Sequence, residues 1–241
     1  MNSDPVVILP GLMCDGTMFG AQIDAFDAHV IGGFYGQADN FDAMADYALH
    51  RMPHRAAVIA HSMGARVALE IWRRQPERIS RLLVANTGVQ PVRPNEAEGR
   101  YALRDLGRSQ GFDALATTWL GRMIGPGQRA NGQLFDTLLG MCRAAGQATF
   151  EAQIHALLNR PDCAGLLPTL TCPTHVLAGR QDEWASPAQH EAIAAQVPRA
   201  MLRVIENAGH MAPAEAPEQF NAIVGEWLSQ QNFQSAEQPE R

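Results

Sequence analysis

Six short, almost continuously apolar segments alternate with segments of helical periodicity, and this alternation constrains the fold more than any other feature of the sequence. Unbroken apolar runs are typical of strands buried on both faces, whereas half-exposed strands alternate apolar and polar residues. Strands that alternate with helices predict an α/β fold, with a mostly parallel, doubly wound sheet covered by helices on both faces. The predicted strands are residues 6–9, 29–31, 56–60, 81–85, 174–178 and 201–205, and the predicted helices are residues 63–74, 188–196 and 217–228.

The alternation stops between residues 89 and 168, where the sequence has a helical pattern and no convincing strand. Helices are predicted there at residues 97–106, 112–124, 133–144 and 149–158. We interpret residues 89–168 as a helical lid inserted into a core made of residues 1–88 and 169–231. An independent helical domain is the alternative, although about 80 residues is near the small end of domain size. The polar tail, residues 232–241, is predicted to be disordered.

Composition and charge exclude several classes of function. The chain of 241 residues has a net charge of −6 and no segment that combines basic with aromatic residues, so we expect no nucleic-acid partner. All 19 basic residues are arginine, which excludes Schiff-base chemistry and a Ser-Lys dyad. No apolar run reaches the ~18 residues of a membrane span, and we expect no signal peptide. The cysteines form no Cys-x-x-Cys motif and favour a cytoplasmic protein with reduced thiols; they are Cys14, Cys142, Cys163 and Cys172.

One serine stands where a predicted strand meets a predicted helix, in the sequence Ala60-His61-Ser62-Met63-Gly64. A serine on such a sharp turn holds its hydroxyl above the sheet, and the turn needs small residues two positions before and after it. Ala60 and Gly64 are small enough, although glycine is usual at both places. Because serine is also a frequent helix N-cap, this pentapeptide alone leaves a capping role open.

A Pro10-Gly11 turn follows the first predicted strand. The turn directs the next backbone N–H, that of Leu12, toward a substrate oxygen, beside the N–H of Met63 at the start of the helix. Two such donors form an oxyanion hole, in which the loss of one costs ~2.7–4 kcal/mol of transition-state stabilisation. The alternative interpretation is an ordinary turn that ends a strand.

An aspartate and a histidine follow the last two predicted strands. Asp182 comes just after residues 174–178, where its carboxylate can fix the orientation of an imidazole. His210 lies in the loop after residues 201–205, where it can act as general base for Ser62. Taken alone, Asp182 is typical of a surface turn. The order Ser62, Asp182, His210, each after a predicted strand, predicts a catalytic triad.

The other histidines do not share this setting. His61 adjoins the serine, but we expect its side chain to point away from the site and to be structural. His50 and His54 have the four-residue spacing of a metal-binding pair, yet Pro53 interrupts the helix that such a pair requires. We therefore predict no metal site.

These motifs resemble those of the α/β-hydrolase family, in particular its small, lid-bearing esterase and lactonase branch. The resemblance extends over nearly the whole chain and is carried by residues 6–13, 60–64, 179–182 with Pro187, and 209–220. Typical members have eight strands, but the leading hairpin is not found here and six are expected. Pro10-Gly11 stands where His-Gly is commoner. The resemblance implies a cofactor-free serine hydrolase that cleaves a small carboxylic ester or lactone through an acyl-enzyme.

The substrate pocket is expected between the carboxyl edge of the sheet and the lid. Beside Leu12 and Met63, the side chains predicted to contact the substrate are Met13, Trp119, Met123, Trp184 and Met211. Methionine and aromatic residues at helical spacing are, however, more often core residues. The lid carries eight arginines and seven acidic residues, a slight positive charge that favours acidic substrates but that surface arginines explain equally well.

Other functions stay open on the same residues. The triad could hydrolyse a thioester or a carbon–carbon bond, or carry out perhydrolysis. A small-ligand receptor could retain the triad with negligible turnover, and a structural homologue could have lost activity altogether. A small molecule is the expected partner, and the sequence does not indicate the oligomeric state.

Overall fold

All six predicted strands are present in the computed structural model, which describes residues 4–230; the predicted tail at residues 232–241 lies outside the described residues. The strands are β1 (Val6–Leu9), β2 (His29–Val30), β3 (Ala56–His61), β4 (Ile79–Ala85), β5 (Thr174–Gly179) and β6 (Met201–Ile205). They form one parallel sheet in the order β2-β1-β3-β4-β5-β6. The predicted α/β fold is therefore confirmed.

Strand position in the sheet explains the apolar runs. The central strands β1, β3, β4 and β5 are buried at every residue, because helices cover both faces of a parallel sheet. The edge strands β2 and β6 are more exposed. β2 is one residue shorter than predicted, although the N–H of Ile31 still donates to the carbonyl oxygen of Ile8 at 2.9 Å.

Helices connect the strands and flank the sheet. They are α1 (Gly20–Phe26), α2 (Phe41–Leu49), α3 (Met63–Arg74), α4 (Glu96–Gln110), α5 (Phe112–Met123), α6 (Gly132–Leu158), α7 (Pro187–Ala194), α8 (Ala212–Glu215) and α9 (Pro217–Ser229). α1 packs against α9, and α2 packs against α3. The helices predicted after β3, β5 and β6 are present as α3, α7 and α9, whereas α1 and α2, with seven and nine residues, were not predicted.

The chain between β4 and β5, residues 89–168, is named the lid segment here. Within the described residues it contains no strand and runs through α4, α5 and α6, which pack on one another. α6 covers both of the last two helices predicted there. Gly146 separates them, since its φ of +76° interrupts the helical backbone between the two halves. That this segment acts as a lid stays a prediction.

Four neighbouring strands carry polar residues at the same edge of the sheet. Ser62 follows β3, Asn86 follows β4, Asp182 comes shortly after β5, and His210 lies in the loop after β6. Parallel strands have their carboxyl ends at one edge, so the order β3-β4-β5-β6 brings these four residues together.

Candidate active site

Ser62 lies in a strained turn between β3 and α3. Its φ of +54° and ψ of −117° fall in a region that residues other than glycine rarely adopt. Its hydroxyl caps no N–H group of α3. Instead, Oγ lies 2.8 Å from Nε2 of His210. The geometry therefore does not fit the capping interpretation that the pentapeptide left open.

Two glycines allow the end of β1 to approach this turn. A Cβ atom on Gly64 would lie 2.1 Å from the carbonyl oxygen of Leu9, which belongs to the backbone and cannot move aside. A Cβ atom on Gly11 would lie 2.8 Å from Nδ1 of His61 and 3.0 Å from Cβ of Ser62. Side chains at either position would push the turn away from the strand that supports it.

His210 lies between Ser62 and Asp182 in one chain of hydrogen bonds. Its Nε2 is 2.8 Å from Oγ of Ser62, and its Nδ1 is 2.8 Å from Oδ2 of Asp182. When Nδ1–H donates to the carboxylate, Nε2 presents its lone pair to the serine hydroxyl and can accept the proton. The arrangement is thus able to convert the serine into a nucleophile.

The carboxylate of Asp182 is buried and held in its ionised form. Burial alone would raise its pKa, but the charge and hydrogen bond of His210 outweigh burial and keep the pKa well below its ordinary value. Further hydrogen bonds come from the N–H groups of Trp184 and Ala185, at 2.8 and 2.9 Å from Oδ1. Because it is only 4% exposed, Asp182 is not a surface-turn residue.

Asn86 belongs to this network and was not predicted. Its Nδ2 donates to Oδ2 of Asp182 at 2.9 Å and to the carbonyl oxygen of Gly209 at 3.1 Å. It therefore connects the loop after β5 to the loop that carries His210. The sequence contains a signal for it. Asn86 is a polar residue directly after the buried strand β4, and β4 lies between β3 and β5, the strands that precede Ser62 and Asp182.

His61 supports the site from inside the protein. It is fully buried, and its Nε2 donates to the backbone carbonyl oxygen of His210 at 2.8 Å. The two imidazole rings meet edge to face with centroids 5.2 Å apart. Burial and the proximity of His210 lower the pKa of His61 to about 3, so it stays neutral at physiological pH.

A second buried carboxylate holds the backbone on either side of His210. Oε2 of Glu215, in α8, accepts hydrogen bonds from the N–H groups of Gly125 and Gly209 at 2.8 and 2.9 Å, and Oε1 accepts one from Met211 at 2.9 Å. Burial raises the pKa of Glu215, while these three donors act in the opposite direction. Because Gly125 belongs to the lid segment, Glu215 joins that segment to both neighbours of His210.

The two predicted oxyanion donors are Leu12 and Met63, and both residues border the cavity that contains Ser62. The N–H of Met63 is in the first turn of α3, where amides have no partner within the helix. The N–H of Met13 donates to Oε1 of Gln153 on α6 at 2.8 Å, so the lid segment fixes the turn that carries Leu12. Their role as oxyanion donors stays a prediction.

The cavity has a volume of about 190 Å³, and Ser62 and His210 border it. Of the residues predicted to contact the substrate, Trp119, Met123 and Trp184 border this cavity. Met13 and Met211 do not. Both are fully buried in the hydrophobic core, which takes up their long apolar side chains, and the prediction is corrected for these two residues.

Charged residues also border the cavity, and none of them was predicted. They are Arg66, Arg93, Glu96, Arg100 and Arg160. Arg66 could have been found, because it follows Ser62 by four residues and so lies on the same face of α3. The others lie near the two ends of the lid segment, and helical periodicity alone does not show which of their side chains face the sheet.

Two further findings apply to residues 4–230. No group of three or more His, Cys, Asp or Glu side chains in that part of the chain is arranged to hold a metal ion. Nor does any helix there combine the length and the apolar character needed to cross a membrane.

The chain has a parallel sheet, and serine, histidine and aspartate side chains form hydrogen bonds with one another at the carboxyl edge of that sheet. These features place it among α/β proteins with a Ser–His–Asp site. The sequence profile described as the alpha/beta hydrolase family matches residues 6–223 of this chain. The chain therefore belongs to the α/β-hydrolase family.

Individual relatives agree with this membership. A 2-hydroxy-6-oxononadienedioate/2-hydroxy-6-oxononatrienedioate hydrolase from Pseudomonas sp. is 28% identical over 184 residues, which cover 73% of this chain and 63% of the relative. The 3-oxoadipate enol-lactonase 2 of Acinetobacter baylyi is 28% identical over 175 residues, covering 73% of this chain and 64% of the relative. The match thus spans less than two thirds of either relative's length.

A solved structure matches over a larger share of its length. A thermophilic esterase from Thermogutta terrifontis is 27% identical and superposes with a TM-score of 0.83. The superposition covers 94% of this chain and 90% of the esterase. The similarity therefore includes the lid segment as well as the sheet.

Proposed function

We propose that the protein is a serine hydrolase that cleaves a small carboxylic ester or lactone through an acyl-enzyme. Ser62 is the nucleophile, His210 the general base, and Asp182 the residue that orients His210. The observation that carries the proposal is the continuous chain of 2.8 Å contacts from Ser62 through His210 to Asp182, beside a cavity. A serine that served only packing or capping would need neither partner.

In the proposed reaction, Oγ of Ser62 attacks the carbonyl carbon while its proton passes to Nε2 of His210. The ionised Asp182 stabilises the imidazolium that forms. The oxyanion of the tetrahedral intermediate accepts hydrogen bonds from the N–H groups of Leu12 and Met63. Its collapse breaks the bond to the leaving alcohol, which takes the proton from His210. A water molecule then attacks the acyl carbon while His210 accepts its proton. The bond between that carbon and Oγ of Ser62 breaks, Oγ takes the proton back from His210, and the acid is released.

The named relatives support hydrolysis but act on different substrates. An enol-lactonase and an esterase favour an ester or lactone as the substrate of this chain. The hydrolase of a dioate and the enol-lactonase are equally similar in sequence to this chain, at 28% identity each. Another reaction on the same triad is therefore the alternative: hydrolysis of a carbon–carbon bond or a thioester, or perhydrolysis. A panel of esters, lactones and thioesters separates these reactions by their kcat/KM.

The cavity favours a small substrate. Drug-sized ligands occupy pockets of about 300–1,000 Å³, and the cavity beside Ser62 has about 190 Å³.

The proposal includes a cytoplasmic location. All four cysteines are free thiols, which supports that location.

The substitution Ser62→Ala tests the proposal. We expect hydrolysis of p-nitrophenyl acetate to fall at least about a thousandfold and fluorophosphonate labelling to disappear, while circular dichroism and the melting temperature stay near those of the wild type. Ser109→Ala is the matched control, because Ser109 is exposed and bonds only to backbone oxygens of its own helix. Retention of most activity by Ser62→Ala would refute the nucleophile. Labelling without steady turnover would favour a receptor.

A further inference from the structure

The charges around the cavity have the opposite sign to the charge of the chain. The net charge of the chain is −6, yet four of the five charged residues that border the cavity are arginines. Arg93 is largely exposed, whereas the side chains of Arg100 and Arg160 are 14% and 8% exposed, and Arg66 as a residue is 5% exposed. Three largely buried guanidinium groups therefore border the cavity, and Glu96 is the one acidic residue among the described residues that border it.

Glu96 is fully engaged by two of these arginines. Its Oε1 accepts hydrogen bonds from Nε and Nη2 of Arg100 at 3.0 and 2.8 Å and from Nη1 of Arg160 at 2.6 Å. Its Oε2 accepts one from Nη2 of Arg160 at 2.6 Å. Burial alone would raise the pKa of Glu96, but the two arginines outweigh burial and lower it to about 2. One negative charge is thus shared by Arg100 and Arg160, and the exposed Arg93 is a third arginine whose Nε lies 4.0 Å from Oε2.

Among the described residues, no carboxylate is in hydrogen-bond contact with Arg66. Its guanidinium donates to the backbone carbonyl oxygens of Pro161 at 3.0 Å and Gln90 at 2.5 Å. Burial lowers its pKa to about 10, which still leaves it charged at neutral pH. A buried cation satisfied only by neutral groups carries a desolvation cost that an incoming anion would offset.

Arg100 is the arginine best placed to meet an anion. It uses Nε and Nη2 for Glu96, and in the described part of the chain Nη1 has no hydrogen-bond partner. Its guanidinium lies 6.0 Å from the ring centre of Trp184, which follows Asp182 by two residues and also borders the cavity. Arg100 therefore reaches from the lid segment toward the part of the cavity next to the Ser62–His210–Asp182 chain.

We infer that Arg100, within the positive field of Arg66 and Arg160, forms a subsite for a carboxylate. The substrate is then an ester or lactone that carries a second, ionised carboxylate. This inference rests on the proposed function, since it concerns the substrate of the same serine. Guanidinium groups favour carboxylates because their planar forks match the two carboxylate oxygens.

Both ends of such a substrate must fit the same cavity, since Ser62 and Arg100 border one cavity of about 190 Å³. Short dicarboxylic monoesters, such as those of glutarate and adipate, are therefore the substrates that we expect.

A purely structural role is the competing explanation. Arg66 and Arg160 bind backbone carbonyl oxygens at both ends of the lid segment, those of Gln90, Pro91 and Pro161, and so hold the two ends together. Within residues 4–230, the side chain of Arg100 bonds to Glu96 and to no backbone oxygen. The test therefore concerns Arg100 and uses a ratio of two substrates, which a loss of folded enzyme does not change.

The probe is a pair of esters of the same diacid, monomethyl glutarate and dimethyl glutarate, in which the second ester replaces the carboxylate and removes its charge. We expect the wild type to prefer the monoester at least tenfold in kcat/KM. Arg100→Gln is expected to remove most of that preference, mainly through KM, because the carboxylate is bound before and during the reaction. Arg104→Gln, one turn further along α4 and outside the cavity, should retain the preference.

A second measurement does not depend on turnover or on a variant. Glutarate is expected to slow the fluorophosphonate labelling of Ser62, whereas 1,5-pentanediol at the same concentration is not. Labelling that glutarate does not slow, or equal kcat/KM for the two esters, would overturn the carboxylate subsite and leave the serine hydrolase intact. Absence of labelling would overturn the proposed function, and the subsite with it.

Discussion

Replacing Glu96 by glutamine should destabilise the protein by leaving two buried arginines without their counter-charge. The carboxylate lies at the centre of the contacts with Arg100 and Arg160, and its side chain is 8% exposed. A glutamine keeps the shape and one acceptor oxygen but not the negative charge. The change therefore tests the charge of residue 96 rather than its packing.

The magnitude follows from the pKa of Glu96. A fall from 4.5 to about 2 corresponds to about 3 kcal/mol of preferential stabilisation of the charged form in the folded state. Breaking a buried ion pair by removing one partner typically costs about 3–5 kcal/mol, which agrees. We therefore expect Glu96→Gln to lower the free energy of unfolding at pH 7 by about 3 kcal/mol.

The dependence on pH gives this prediction its sign. The pKa of Glu96 is depressed in the folded state, so its contribution is complete above pH 4.5 and is lost as the pH falls toward about 2. Urea unfolding of both proteins, followed by circular dichroism, should show the gap between wild type and variant shrinking to about 2 kcal/mol at pH 3.5. Other carboxylates titrate in both proteins and cancel in the difference.

A matched variant guards against nonspecific effects. Glu98 lies two residues further along the same helix and is exposed. Glu98→Gln should change the free energy of unfolding by no more than about 0.5 kcal/mol. A gap for Glu96→Gln that stays constant between pH 7 and pH 3.5, or no gap at all, would refute the electrostatic reasoning.

Two other predictions concern the support of the site. Glu215→Gln should lower the free energy of unfolding by about 2 kcal/mol and should also lower kcat. The reason is that an amide cannot accept hydrogen bonds from all three N–H groups around His210. Wild-type values in urea unfolding and in ester hydrolysis would contradict this prediction. Gly64→Ala should leave little folded protein, since its Cβ meets the backbone of β1 at 2.1 Å. Gly140→Ala, on the open face of α6, should instead stabilise the protein by about 0.5–1 kcal/mol. Equal melting temperatures for the Gly64→Ala and Gly140→Ala variants would argue against the close contact between Gly64 and β1.

The sheet could be predicted because its signal is local. Strands buried on both faces must be apolar at nearly every position, and residues 56–60 and 174–178 read that way without knowledge of their neighbours. The three residues of the Ser62 chain were found for a related reason. Parallel strands share a carboxyl edge, so position after a strand is enough to bring them together.

The lining of the cavity could not be predicted in the same way. Whether a lid side chain faces the sheet depends on how α4, α5 and α6 pack, which is a long-range property. Met13 and Trp119 are both large apolar residues that were expected to contact the substrate, yet Trp119 borders the cavity and Met13 does not. Arg160 carries no distinguishing local pattern, because its partner Glu96 is 64 residues away in the chain. Arg100 has the i,i+4 helix spacing to Glu96, but that spacing does not show that the pair borders the cavity.

The tie between the lid segment and the loop of His210 limits how the segment can move. The N–H of His210 donates to the carbonyl oxygen of Met123 at 2.8 Å, and Glu215 binds the N–H of Gly125, so both contacts lie at the C-terminal end of α5. A displacement of that end would break hydrogen bonds to His210 and its support at the same moment.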